Sequence, residues 1–175
     1  MVSLCSLVRH RGAAPLTATL RPGEIIGILG APKELLHLAD LLLGRCRPHA
    51  GRVEQASAQR TLLLRHDDAL PSGLDPRDAL LFHAAAWRIA ASDAAARVDA
   101  ALLLAAVAPL IARVYVARPS LLLAPDPTLL APSEAALLAF ASAARSGETT
   151  ILWNVTGNDA RRALSDRVLE MTDAS

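Results

Sequence analysis

The chain has 175 residues, of which 53% are hydrophobic and only 3% aromatic, and its formal net charge is +1. This length predicts one domain over residues 1–175 with a sizeable apolar core. The balanced charge and the low aromatic content exclude the basic, aromatic-rich surfaces that bind nucleic acids. The uncharged apolar stretches are shorter than the roughly 20 residues that a membrane-spanning helix needs, so we expect no span.

The two cysteines, Cys5 and Cys46, lie in no metal-binding or redox motif. The N-terminal segment also lacks the pattern of a cleaved signal peptide. We therefore expect reduced thiols, no bound metal ion and a cytoplasmic location.

The N-terminal part of the chain combines strands and turns with one helix. Residues 2–8 and 16–20 alternate apolar with small polar residues, which predicts half-buried strands. Residues 24–30 are nearly all apolar, as in a strand that is covered on both faces. Leucines at helical spacing predict a helix over 34–43, and Gly44 follows it as a C-terminal cap.

The remainder of the chain alternates helices with buried strands. Two strand-like segments, GRVEQ and RTLLLRH, precede a loop, and an Ala-rich helical region then runs from about 77 to 117 with a break near Pro109. Strand and helix patterns alternate afterwards, in the segments SLLLAP, SEAALLAFASAAR, TTILWNV, NDARRALS and DRVLEM. This order predicts an α/β fold with a largely parallel core sheet.

Four segments carry a resemblance to a known family. In chain order they are LTATLRPGEIIGILG, LLLGRCRPHAGRVE, IARVYVARPSLLLAPDPT and TTILWNVTGNDARRALSDRVLEM. Together they resemble the nucleotide-binding domain of ABC transporters, from the approach to the Walker A loop to the final strand. The resemblance implies a P-loop NTPase-like, ABC ATPase-like fold with N-terminal antiparallel strands and a shortened helical subdomain at approximately 77–117.

The segment that resembles the Walker A loop begins at Gly30. Such a loop holds phosphates with backbone N–H groups and a lysine, and binds magnesium through a hydroxyl. Here the loop is one residue shorter than in the family, and Pro32 removes an N–H donor. Lys33 has two interpretations: it substitutes for the family's lysine, or it is an exposed lysine near the start of a helix.

The family's polar positions in this segment are occupied by other residues. Counted back from Gly44, the lysine position falls on Leu35. The hydroxyl positions fall on Leu36 and His37, and we interpret His37 as a partly buried histidine without a binding role. The resemblance thus implies a degenerate Walker A loop.

The Walker B segment departs from the family in the same way. The aspartate position falls on Pro125, which has no carboxylate for magnesium, and the catalytic glutamate position falls on Asp126. Asp126 is interpreted either as a solvated loop residue or as a shorter replacement. The signature segment falls on ALLLA at 101–105, and the switch histidine falls on Thr156 or Gly157.

A loop and two aromatic side chains are the candidate partner interface. His66, Asp67 and Asp68 are adjacent in one loop, and adjacent residues rarely converge on one metal ion. In the family this region faces the membrane subunit, so an interface is the better interpretation. We add Phe82 and Trp87 to it and expect a charge at either position to release the partner without unfolding the chain, although Trp87 also fits a core role.

Three functions follow from these patterns. The leading expectation is a catalytically inactive ABC ATPase-like subunit without a cofactor, which pairs with a membrane protein, with an intact ATPase or with itself. It would lie in the cytoplasm, at the inner face of the membrane through its partner. The alternatives are a divergent NTPase that uses Lys33, Asp126, ATP and magnesium with a partner chain, and a sensor of another small ligand.

Overall fold

A computed structural model describes residues 1–56, 59–65, 73–105, 109–126, 134–155 and 160–172. The strands in these ranges are β1 (Val2–Val8), β2 (Leu16–Leu20), β3 (Ile25–Leu29), β4 (Ala50–Gln55), β5 (Thr61–Leu63), β6 (Leu121–Ala124), β7 (Thr150–Val155) and β8 (Arg167–Glu170). The helices are α1 (Pro32–Leu42), α2 (Pro76–Ala86), α3 (Ala91–Ala105), α4 (Pro109–Ala117), α5 (Glu134–Ser146) and α6 (Ala160–Leu164).

The strands form two sheets. A three-stranded antiparallel sheet has the order β2-β1-β4, and a five-stranded parallel sheet has the order β5-β6-β7-β3-β8. The predicted α/β fold, with a parallel core sheet and N-terminal antiparallel strands, is therefore confirmed.

The parallel sheet is buried on both faces. Ile26, Ile28 and Leu123 belong to a core shared with α1 and the antiparallel sheet. The alternate positions, among them Ile25 and Leu122, face a second core shared with α5. Since side chains of a strand alternate between its faces, both sets must be apolar, which explains the nearly continuous apolar strand sequences.

Trp153 on β7 is a core residue. Its side chain is fully buried in the second core, and its indole Nε1 donates a hydrogen bond to the Ser165 hydroxyl at 2.9 Å. That bond satisfies the one polar atom of the ring, so this large side chain is buried without an unsatisfied hydrogen-bond donor.

The Ala-rich region has one more break than its sequence pattern predicts. Helix α4 begins at Pro109, near the predicted break, and the chain also leaves helical geometry between Trp87 and Ala90. Arg88 adopts a left-handed φ of 51°, and the Trp87 N–H closes the last turn on the His83 carbonyl at 3.0 Å. The three helices α2, α3 and α4 share an apolar core of their own.

His83 on α2 makes the stability of the protein depend on pH. Its side chain lies in a buried position, and burial, reinforced by the charge of Arg113, lowers its pKa from 6.5 to about 4 despite a hydrogen bond with the Arg113 backbone. Between these values the unfolded chain takes up a proton that the folded chain does not, so stability falls as pH drops. We expect a loss of roughly 2 to 3 kcal/mol from pH 7 to pH 4.5 from this group.

Urea unfolding of His83→Leu and of the parent chain at pH 7 and pH 4.5 measures the contribution of His83 to the free energy of unfolding. Carboxylates titrate in both proteins, so the difference between their two pH dependences isolates the histidine. His49→Gln, at an exposed histidine, is the matched control and keeps the parent's dependence. Equal pH dependences for His83→Leu and the parent would contradict the assignment.

Candidate functional site

The carboxyl ends of the parallel strands bring the Walker-like segments to one edge of the sheet. β3 and β6 run in the same direction on either side of β7. Gly30 follows β3, and Pro125 and Asp126 follow β6, so the two segments lie at the same edge. Ligands of open α/β sheets bind at this edge, which makes it the candidate site.

The connection from β3 to α1 is very short. Only Gly30 and Ala31 separate the last residue of the strand from Pro32, the first residue of the helix. The helix was predicted to begin at residue 34 and begins two residues earlier, because proline is favourable at the first helical position. Lys33 and Glu34 are therefore part of the first turn, and no loop remains between strand and helix to surround a phosphate.

The first turn of α1 has few donors for an anion. Pro32 has no N–H, and the Glu34 N–H donates to the Ala31 carbonyl at 2.8 Å. Ala31, which caps the helix, makes no side-chain hydrogen bond. A helix N-terminus binds phosphate through free N–H groups, and two of the usual donors are missing here.

The positions that align with the Walker lysine and hydroxyls differ in exposure. Leu35 is 0% exposed and belongs to the core between α1 and the sheets, whereas Leu36 is 41% exposed. His37 is partly buried, as predicted, and its Nε2 donates to the Arg9 carbonyl at 3.0 Å. Lys33 is exposed.

An ion pair between buried Arg9 and partly buried Glu34 lies beside the first turn. Arg9, just after β1, is 3% exposed, and its Nη2 lies 3.1 Å from Glu34 Oε2. His10 Nε2 lies 3.6 Å from the same oxygen. The sequence pattern gives one signal for this pair, a glutamate in the first turn of the helix, and does not indicate which cation that glutamate contacts.

The space next to Gly30 is filled by protein atoms. A Cβ added at this glycine would lie 3.2 Å from Met171 Cβ and 3.8 Å from Glu34 Cβ. The Gly30 carbonyl accepts a hydrogen bond from Asn154 Nδ2 on β7 at 3.1 Å. The start of the Walker-like segment is therefore packed against the glutamate stem, the end of β8 and β7.

The other predicted site residues are distributed as follows. Pro125 is buried and Asp126 partly exposed at the end of β6. Ala101 and Leu102 of the signature segment lie on α3 and pack in its core, while the side chains of 103–105 are outside the described part of the chain. Thr156 and Gly157 also lie outside the described residues.

The candidate interface residues separate into two kinds. Phe82 on α2 is 65% exposed. Trp87 is partly buried against the second core, with the Arg60 guanidinium 4.9 Å above its ring and Arg60 Nη2 donating to its carbonyl at 2.5 Å. The expectation that a charge at Trp87 leaves the fold intact does not fit this packing, because the ring joins the helical region to the start of β5. His66, Asp67 and Asp68 lie outside the described residues.

The described residues contain neither a cluster of metal ligands nor a helix that could span a membrane. No group of three or more His, Cys, Asp or Glu side chains there is arranged to hold a metal ion, and Cys5 and Cys46 are free thiols. None of the described helices combines the length and the hydropathy needed to cross a bilayer.

Comparison with known proteins gives structural matches without sequence matches. No protein-family model and no curated protein sequence matches the chain. An inward-facing transporter assigned to the metal-chelate type of ABC transporter matches with a TM-score of 0.72 and 21% identity, over 97% of this chain and 78% of that chain.

Two further solved structures are similar to the chain. CbiO1 from Clostridium perfringens, part of the ABC transporter complex CbiONQ, matches with a TM-score of 0.69 and 17% identity, over 97% of this chain and 84% of that chain. The ATP-binding cassette MJ0796, in a dimeric post-hydrolysis state with ADP and Pi, matches with a TM-score of 0.70 and 13% identity, over 99% and 95%. At these identities the matches establish the fold.

Proposed function

Because the chain has the fold of ABC transporter ATP-binding domains, we propose that it is a catalytically inactive, ABC ATPase-like subunit. It serves as a structural or regulatory partner of a membrane protein complex or of an intact ATPase, in a homodimer or heterodimer. Through that partner it lies in the cytoplasm at the inner face of the membrane. It needs neither ATP nor magnesium for this role.

The observation that carries the proposal is the burial of Leu35. This side chain is 0% exposed within the core, at the position where a Walker A lysine would face a phosphate. Only Gly30 and Ala31 precede the helix, so no loop is left to surround a phosphate. The Walker lysine position has thus become a packing position, and Pro32 and the Glu34–Ala31 hydrogen bond remove two of the N–H donors that would stabilise a transferring phosphoryl group.

The charge at this edge also disfavours a nucleotide. Glu34 presents a carboxylate beside Gly30, and its Oε2 lies 3.1 Å from the guanidinium that neutralises it. A phosphate placed there would have to compete with this carboxylate for Arg9, and like charges in a poorly solvated site repel strongly.

The alternative is a divergent NTPase that uses Lys33 and Asp126 with ATP and magnesium. One observation favours it: Lys33 is exposed on the first turn of α1, and Asp126 follows β6 at the same edge of the sheet. A partner chain would then supply the remaining donors.

Thermal unfolding with and without Mg-ATP distinguishes the two functions. The inactive subunit unfolds at the same temperature in both conditions. A nucleotide at a hundred times its Kd would add about 2.7 kcal/mol. Such a shift in the parent chain, lost in Lys33→Ala or Asp126→Ala, would show nucleotide binding and favour the divergent NTPase instead.

Phe82 provides the test of the partner role. We expect Phe82→Asp to abolish co-purification of the partner from native cells while changing the free energy of unfolding by less than about 0.5 kcal/mol, because the ring is 65% exposed. Trp87→Asp, at a packed ring, should instead unfold the protein at lower urea. Leu138→Asp, at a 54% exposed leucine on α5, is the control for surface charge. Retention of the partner by Phe82→Asp would contradict this interface.

A further inference from the structure

We propose that Glu34 is an internal anion that replaces a bound phosphate at the start of α1, with Arg9 as the cation that holds it. This inference deepens the proposed function and rests on it. The Glu34 carboxylate would keep this edge of the sheet in the arrangement of a phosphate-bound site without any nucleotide.

The first support is the position of the carboxylate. Glu34 lies in the first turn of α1, where the helix dipole favours negative charge. Its Cβ would lie 3.8 Å from a Cβ at Gly30, so its stem covers the residue at which a phosphate loop begins. The carboxylate therefore occupies the region that an exogenous anion would need.

The second support is the state of Arg9. Its side chain is 1% exposed, and neither Nε nor Nη2 has a partner in hydrogen-bonding geometry among the described residues. The carboxylate of Glu34, 3.1 Å from Nη2, is the negative charge that neutralises this buried cation. A buried guanidinium held in this way needs an anion, and removal of that anion leaves an uncompensated charge.

The third support is that the pair joins two parts of the fold. Arg9 follows β1 of the antiparallel sheet, and Glu34 follows β3 of the parallel sheet. The Arg9 carbonyl also accepts a hydrogen bond from His37 one turn further along α1. Residues after β1 are thus fixed to the helix by contacts within the chain.

The test is rescue of Glu34→Ala by small anions. We expect this variant to unfold about 10 °C below the parent, since loss of one member of a buried pair is costly. Sodium formate or inorganic phosphate at ten times its Kd should raise its unfolding temperature by about 3 to 6 °C. Sodium chloride at equal ionic strength should not. Glu34→Gln, which keeps the shape, is the second variant if Glu34→Ala fails to fold.

Glu54→Ala is the matched control, because Glu54 pairs with Arg52 at 2.6 Å on the exposed face of β4. It should lose almost no stability and gain nothing from formate. The inference is overturned if Glu34→Ala is as stable as Glu54→Ala, or if formate and phosphate raise all variants equally. Mg-ATP binding by the parent would refute the proposed function separately, because anion rescue is measured without nucleotide.

Discussion

Leu35→Lys, the substitution that restores a lysine at the Walker position, should destabilise the protein by about 5 kcal/mol and create no nucleotide site. Leu35 is 0% exposed, so the new ammonium group would be buried without a partner. A buried lysine loses its proton or unfolds the structure around it. The loss is measured by urea unfolding at pH 7.

Leu36→Lys is the matched control on the adjacent residue. Leu36 is 41% exposed, so its lysine can remain in water and the free energy of unfolding should change by less than about 0.5 kcal/mol. Leu35→Met, which conserves volume, should cost less than about 1.5 kcal/mol and shows that charge causes the loss. A stable Leu35→Lys protein that binds Mg-ATP would reverse the interpretation of α1.

Gly51→Ala should cost about 4 kcal/mol or prevent folding. Gly51, on β4, has a φ of +76°, and an added Cβ would lie 2.2 Å from the Ser6 carbonyl oxygen and 2.5 Å from that of Cys5. Both neighbours are backbone atoms of β1, which cannot move without breaking the antiparallel sheet. The loss is again measured by urea unfolding.

Gly12→Ala separates the cost of steric overlap from the cost of a positive φ at a residue with a side chain. Gly12 has a φ of +91° but open space around it, so alanine there should cost only about 1 to 2 kcal/mol. Equal losses at the two positions would show that the β1 backbone adjusts. The close approach of Gly51 to Ser6 bears on the candidate functional site. Ser6 lies where the β1 register shifts, three residues before Arg9, and such bulges change the direction of a strand.

Much of the fold could be predicted from the sequence because its signals are local. The apolar run of β3, the leucine spacing of α1 and the left-handed Gly44 after it each specify one element. The break at Trp87 was missed because the Ala-rich sequence on both sides favours helix equally. At the end of α2 the Trp87 ring contacts Arg60 and the second core, and such contacts depend on tertiary structure.

The candidate site could be predicted only in part. Counting from Gly44 placed Leu35 at the Walker lysine position, and the structure adds that this leucine is in the core. The contact of Arg9 with Glu34 spans two sheets and 25 residues of sequence, so no periodicity or motif could predict it. His66, Asp67 and Asp68 lie outside the described residues, and their interface role stays a prediction.

The early start of α1 bears on both proposals, the inactive subunit and the role of Glu34 as an internal anion, and each makes its own prediction. If the connection between β3 and α1 is too short to form a phosphate loop, the parent chain has no triphosphate site. If Glu34 also serves as the anion of this edge, only its removal opens the edge to small anions. Both statements depend on how residues 30–36 are packed.

Crystals grown with Mg-ATP test that packing most directly. We expect the Arg9–Glu34 pair to be intact, Leu35 to be in the core, and no phosphate density against residues 30–36. A triphosphate bound along this segment, with magnesium near Asp126 and the Glu34 side chain displaced, would contradict the account of an inactive, partner-binding subunit.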